Sequence, residues 1–336
     1  MKRVQTIIAL LLSQCVVIIA RGQDPSFSQF FSSPLNVNPA LTANIDGKWR
    51  FISNLRDQWV GPASPYTTGT VSFDTRVLEK RLPDGNIFGA GGMLMYDKAM
   101  DGALKSTYAS LDVSYNITLA EENATQRLGI GIGGIFGSKR VDFSKLDFGE
   151  QFTGYGFDTN LPTAEIALAD MKPYLSTSVG VLYSVTTDNS NLDLGVAAFH
   201  LNRPKQSSLD DPNQNLAPRY VGHANFDTYL NEQVVLNANA IYQRQSTAEY
   251  ISIGGSVGYS LSGDPEAVTL NLGLWYWWKN AITPYVGLKY QNLQFGLSYD
   301  ITVSKLSRAA EKPKSFELCI IIRSKKPSGY IPNPWK

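Results

Sequence analysis

The sequence is poor in most of the features from which a function is usually read. Its 30 basic and 29 acidic side chains leave no charge excess with which to hold nucleic-acid phosphates, so a nucleic-acid partner is excluded. Charged residues make up 18% of the 336-residue chain, against the roughly one quarter usual in soluble domains. The two cysteines, Cys15 and Cys319, are too few for a disulfide framework, and the only histidines are His200 and His223. Beyond residue 20 no segment approaches the roughly 18 consecutive apolar residues of a membrane helix. A chain that spans a membrane without such a helix has to do so as a closed barrel, the other way to satisfy every backbone polar group in lipid.

What is present begins with an export signal. Met1-Lys2-Arg3 is a basic start, Ile7 to Ala20 is mostly apolar, and Ala20-Arg21-Gly22 sets small residues two apart before Gln23. Removing residues 1–22 takes away Lys2, Arg3, Arg21 and Cys15 and leaves 27 basic against 29 acidic residues and one thiol, Cys319. Cys15 does not read as a lipoprotein cysteine, because Gln14 is a bulky amide where a small residue is wanted and the apolar run continues past it. Some 314 remaining residues bury enough core to dispense with disulfides.

From Lys48 onward a period of two dominates. In 106–115, Thr107, Ala109, Leu111, Val113 and Tyr115 alternate with Ser106, Tyr108, Ser110, Asp112 and Ser114, and the same division recurs in 251–261 and 293–302. Fourteen such segments are expected, at about 47–56, 65–75, 87–97, 104–116, 127–137, 174–186, 191–201, 219–229, 233–243, 249–261, 267–278, 281–290, 292–303 and 315–323. Fourteen is even, as bacterial outer-membrane barrels require. With the first strand starting at the periplasmic side, odd connections face outward, and the two longest, 138–173 and 202–218, are the fifth and the seventh. The long inner turn 76–86 and the short outer connection 279–280 run against that pattern. The polar parity is built of Gly, Ser, Asn and Thr rather than the Lys and Glu of a solvated sheet, which suits a lumen. Tyr115, Tyr183 and Tyr259 toward one rim, and Tyr276, Trp278 and Tyr299 toward the other, read as two interfacial girdles. The expected fold is therefore all-β: a transmembrane antiparallel barrel of about 14 strands over 47–323, integral to the bacterial outer membrane and in contact with its lipids.

Residues 23–46 fit neither strand nor helix. Pro25, Pro34 and Pro39 interrupt ladders and helical bonds, yet Phe27, Phe30, Phe31 and Leu35 are too apolar for a solvated tail. Because fourteen strands enclose more space than side chains alone fill, this leader is expected to fold into the periplasmic mouth as a partial plug or docking element, with Asp24, Pro25, Phe27, Gln29, Phe30, Pro34, Asn38 and Pro39 as its candidate contacts. The alternative is a loose leader ahead of strand one. In the long loop 138–173, Phe148, Gly149, Glu150, Gln151 and Phe152 are candidate partner contacts, and Asp142, Asp147, Glu150 and Asp158 lack the spacing of a calcium loop. The tail 324–336, carrying Tyr330 and Trp335, is expected to emerge in the periplasm as a docking peptide or an unstructured end.

Catalytic signatures fail on inspection. Gly129-Ile130-Gly131-Ile132-Gly133-Gly134 has the spacing of a dinucleotide fingerprint but lies inside an alternating strand with no helix after it, so the glycines are read as making room in the lumen or letting a plug approach the wall. His200 and His223 flank the 202–218 loop and read as interfacial rim residues that would meet across a hairpin; no serine nucleophile accompanies them. No catalytic residue, metal ligand or cofactor site is assigned, and an outer-membrane hydrolase is the weakest reading.

Asp24-Pro25-Ser26-Phe27-Ser28-Gln29-Phe30, followed by Pro34-Leu35-Asn36-Val37-Asn38-Pro39-Ala40, resembles the opening of the PorP/SprF family of type IX secretion outer-membrane proteins. Trp49-Arg50, Gln58-Trp59, Pro65-Tyr66, Ser72-Phe73-Asp74 and Leu146-Asp147-Phe148-Gly149-Glu150-Gln151-Phe152 extend the likeness along the chain. The resemblance implies a non-enzymatic barrel that takes part in protein secretion and, in gliding bacteria, in surface attachment of adhesins. It further implies periplasmic lipoprotein or ring proteins of the secretion machinery and a secreted surface adhesin as partners. The polar lumen alone would equally suit a diffusion channel or transporter for small solutes.

Overall fold

The computed structural model describes residues 23–61, 64–142, 145–158, 160–162, 171–206, 214–262, 268–308 and 313–324. The expected signal peptide, 1–22, and the tail residues Tyr330 and Trp335 lie outside them. Fourteen strands run β1 Trp49–Val60, β2 Tyr66–Val77, β3 Ile87–Ala99, β4 Leu104–Ala120, β5 Thr125–Val141, β6 Tyr174–Thr186, β7 Ser190–Phe199, β8 Arg219–Tyr229, β9 Val234–Gln245, β10 Ala248–Ser260, β11 Val268–Trp277, β12 Ala281–Tyr290, β13 Leu293–Thr302 and β14 Lys314–Arg323. Each pairs antiparallel with its neighbours in sequence, and β1 closes on β14 with Phe51 opposite Ile322 and Leu55 opposite Leu318. Every strand edge is thereby consumed, as a lipid-embedded sheet requires. The expected all-β barrel and its strand count hold.

Alternation sorts the two faces as the pattern predicts. Leu111 is 77% exposed while its neighbour Asp112 is 2% exposed, because successive side chains of a strand point to opposite sides. Tyr259, Tyr276, Trp278 and Tyr299 face outward at the rims, where their amphipathic rings suit the membrane interface. The long connections 142–173, 200–218 and 303–313 share one end of the barrel, which is taken as the outer end.

The core of the molecule is the lumen, and residues 27–45 lie in it. Phe27, Phe30, Leu35, Val37, Ala40, Ala43 and Ile45 are all 5% exposed or less. Irregular backbone is tolerated at membrane depth only where protein surrounds it. Short turns suit the proline spacing: 3-10 turns at Phe30–Ser32 and Pro39–Leu41 flank one α-helical turn, Pro34–Val37. Pro34 and Pro39 each take the first helical position, where their missing N–H costs nothing. Asn38 caps the second 3-10 turn, its side chain accepting the Ala40 N–H at 2.8 Å.

Candidate functional site

A segment that makes no ladder brings its own unpaired amides and carbonyls into the lumen, and each left unbonded would cost about 1–3 kcal/mol. The wall supplies the partners. Near the outer end, Gln245 of β9 accepts the Asp24 N–H at 2.8 Å and the Tyr250 hydroxyl donates to the Phe27 carbonyl at 3.1 Å. Deeper, Glu317 of β14 accepts the Ser28 and Gln29 N–H groups at 2.8 and 3.2 Å. The Gln29 side chain donates to Ser298 and to the Glu317 carbonyl, both at 3.0 Å, and Asn54 donates to the Ser32 carbonyl at 2.8 Å.

The chain then turns back at Pro34–Val37, where Arg219 donates to the Asn36 carbonyl at 3.0 Å, and descends toward the short-turn end. Asn38 donates to the Val181 carbonyl at 3.1 Å and sits 3.0 Å from Nε2 of His223. Ser114 donates to the Thr42 carbonyl at 2.6 Å, Asp74 accepts the Ala43 N–H at 2.8 Å, and Arg76 bonds the Ile45 carbonyl. The expectation of a plug confined to the periplasmic mouth therefore needs correction: the segment runs from the outer end of the lumen to β1. Its aromatic residues reach inward-facing rings of the wall, which anchor it at that depth.

Those rings are Trp275 and Tyr285, with Phe31 centred 4.7 and 5.8 Å away, while Phe30 packs in the same buried cluster with Phe199 and Tyr250. Phe27 and Leu35 pack against Met93 and Met95. Burying a Phe of this kind contributes about 1.5–3 kcal/mol. Glycines set the closest approaches: a Cβ on Gly131 would lie 2.2 Å from the Ala40 nitrogen, and one on Gly180 would overlap the Asn38 side chain.

Charge is concentrated where the segment begins. The Asp24 carboxylate lies 2.8 Å from His200 Nε2 and 3.2 Å from Arg219 Nε, and Gln245 donates to it at 3.3 Å. Burial on its own would raise its pKa, but the charge of Arg219, then that of His200, together with the His200 and Gln245 hydrogen bonds, outweigh burial and hold the carboxyl well below the usual range. His200 is oriented by Ser176, 2.7 Å from its Nδ1. Elsewhere Asp300 gathers Arg56 at 2.9 Å with Ser28 and Thr283 at 2.8 Å each, and Arg50 pairs with Asp74 at 2.8 Å.

Of the residues singled out in the leader, Asp24, Phe27, Gln29, Phe30 and Asn38 each meet the wall directly, and Pro34 and Pro39 shape the turns between them. Pro25 accepts from Asn36 at 3.4 Å through its carbonyl. The histidines do not meet: His200, just past the outer end of β7, turns inward and binds Asp24, whereas His223 lies deeper, within β8 opposite Gly195, and binds Asn38. Phe148 to Phe152 lie in the connection between β5 and β6. Gly149–Gln151 forms a 3-10 turn closed by the Gln151 side chain accepting the Phe148 N–H at 3.1 Å. Phe152 and Phe157 pair at 5.2 Å and are each about half exposed, and Tyr155 between them is fully exposed. Among the described residues no group of three or more His, Cys, Asp or Glu is arranged to hold a metal ion.

Sequence reasoning missed Trp275, Tyr285, Tyr250 and the two histidines as wall partners. A signal was available, since Trp275 shares the parity of Thr269 and Asn271 and so points into the lumen.

A family model described as type IX secretion system membrane protein PorP/SprF matches residues 19–322. No curated protein matches the chain in sequence. Among solved structures, a TodX deltaS2S3 mutant, described as a monoaromatic hydrocarbon channel, is similar at 12% identity over 86% of this chain and 92% of its own, with a TM-score of 0.50. The P. putida toluene transporter TodX (12%, 86% and 93%, TM-score 0.47) and a Pseudomonas aeruginosa FadL homologue (12%, 85% and 92%, TM-score 0.45) also match. At such identities the likeness concerns the barrel fold alone.

Proposed function

The chain belongs to the PorP/SprF family of type IX secretion system membrane proteins, and from that premise we propose that it is a non-enzymatic outer-membrane component that assists secretion or surface attachment of cargo, such as gliding adhesins, by protein–protein recognition. The observation that carries this reading is the occupied lumen. Wall groups that would line a solute path are instead spent on the leader: Glu317, Asn54, Asp74, Arg219 and Tyr250 all bond its backbone. A barrel filled in this way serves as an anchor whose faces recognise partners.

On the outer side the exposed Phe152, Tyr155 and Phe157 offer aromatic contacts of the kind that dominate protein interfaces. On the inner side the short turns, and the tail bearing Tyr330 and Trp335, meet periplasmic lipoprotein or ring proteins of the machinery. The other reading, a diffusion channel for small solutes, requires the leader to leave the lumen.

Affinity purification of the tagged chain from detergent-solubilised envelopes tests the proposal. Recovery of a secreted surface protein or of periplasmic secretion components is expected. Recovery of the chain alone, under conditions that keep the barrel folded, would overturn it.

A further inference from the structure

At the outer end the barrel opens into a vestibule of about 570 Å³, floored by Gln23 to Ser26 and walled by the outer ends of β1–β5 and β8–β11. The floor shows what this wall binds. It holds a stretch of polypeptide outside any helix or strand through wall side chains, Gln245 accepting the Asp24 N–H, Tyr250 donating to the Phe27 carbonyl, and Arg219 with His200 holding a carboxylate. Above the floor the same kinds of group continue outward. Gln58 offers an amide, Lys139 and Asp97 bring opposite charges, and Trp59 stacks edge-on to Tyr66 at 5.2 Å.

Such a lining matches a ligand that presents amide donors, amide acceptors, side chains of either charge and apolar surface together. An apolar solute would leave the buried polar groups unpaired, and an anion or cation of one sign would face like charge on one side. A cavity of about 570 Å³ is too small for a folded domain and has the volume of a few residues of chain. We propose that the vestibule is a binding site for an extended polypeptide segment of a secreted partner, entering from the outer face and continuing the path on which residues 24–27 already run. The proposal rests on the recognition role given above and supplies its site.

The test is photo-crosslinking in living cells with a benzophenone amino acid at Gln58, and with the same probe at lipid-facing Leu111 as control. Expected is an adduct specific to position 58 that maps to one short segment of an identified secreted protein and falls at least fivefold in Lys139→Gln and in Asp97→Asn, with the barrel still folded by its heat-modifiable mobility. Adducts only to the chain's own residues before Gln23, adducts only to glycan, or no adduct specific to position 58 would each overturn the proposal. If secretion of surface protein depends on the chain while none of the expected adducts forms, the vestibule assignment falls and the recognition role stands. If the tagged chain also recovers no secretion component, the role itself falls.

Discussion

Replacing Asp24 with Ala removes the one carboxylate that ties the start of the luminal segment to the ends of β7, β8 and β9. Breaking a fully buried ion pair by deleting one partner costs about 3–5 kcal/mol, because the other charge is left uncompensated. Here the Asp24 side chain keeps 13% exposure and Arg219 retains the Asn36 carbonyl, so a cost of about 2–4 kcal/mol is expected. At about 1.4 kcal/mol per tenfold, local opening of the outer end should become about 30- to 700-fold more frequent. Amide hydrogen exchange reads this directly at Ser28 and Gln29, whose N–H groups are bonded to Glu317 and lie one turn of chain from the anchor. Asp24→Asn, which keeps hydrogen-bonding atoms and loses the charge, should fall between parent and Ala. Because the carboxyl titrates below its ordinary value in the folded state, its contribution is fully present above the unfolded pKa of about 3.9 and lost only as pH falls below that toward the folded value. Protection corrected for intrinsic exchange should therefore not weaken between pH 7 and pH 5. Exchange at Ser28 and Gln29 within threefold of the parent in Asp24→Ala would refute the anchor.

Gly131→Ala places a methyl 2.2 Å from the Ala40 backbone nitrogen, whereas Gly134 has open space, so Gly131→Ala should cost about 1–3 kcal/mol in exchange protection around residues 38–42 and Gly134→Ala almost nothing. Leu111→Lys puts a charge on the lipid face of β4 at a position 77% exposed; a loss of about 2–4 kcal/mol in folding into bilayers is expected, read by urea titration in vesicles, and an unchanged midpoint would mean that this face is not in hydrocarbon.

The wall of this barrel was legible because it obeys a local rule. Alternation in 106–115 alone assigns Leu111 and Val113 outward and Ser110, Asp112 and Ser114 inward, and each is placed so. Strand limits differ by a few residues where the ladder runs past the apolar alternation, as in β4, which continues through Thr118 to Ala120. The leader's apolar and proline content showed that it must dock, but not how deep. Depth is fixed by contacts such as Asp24 with His200 and Gln29 with Glu317, which join residues 176 and 288 apart in sequence and leave no periodic trace. His223 was misplaced for the same reason: the two histidines flank a loop in sequence, but His200 stays at the outer end while His223 lies deeper in the lumen. The inward aromatics are a different kind of omission, since the parity that sends Asn271 into the lumen sends Trp275 there too.

The account turns on a lumen closed by the chain's own residues, and single-channel recording in planar bilayers tests it most directly. The intact protein, with residues 24–42 in place, should give no steady porin-scale conductance, and deletion of 24–42 should produce one. Steady porin-scale conductance from the intact protein, or no change on deletion in a barrel shown to be folded, would contradict it.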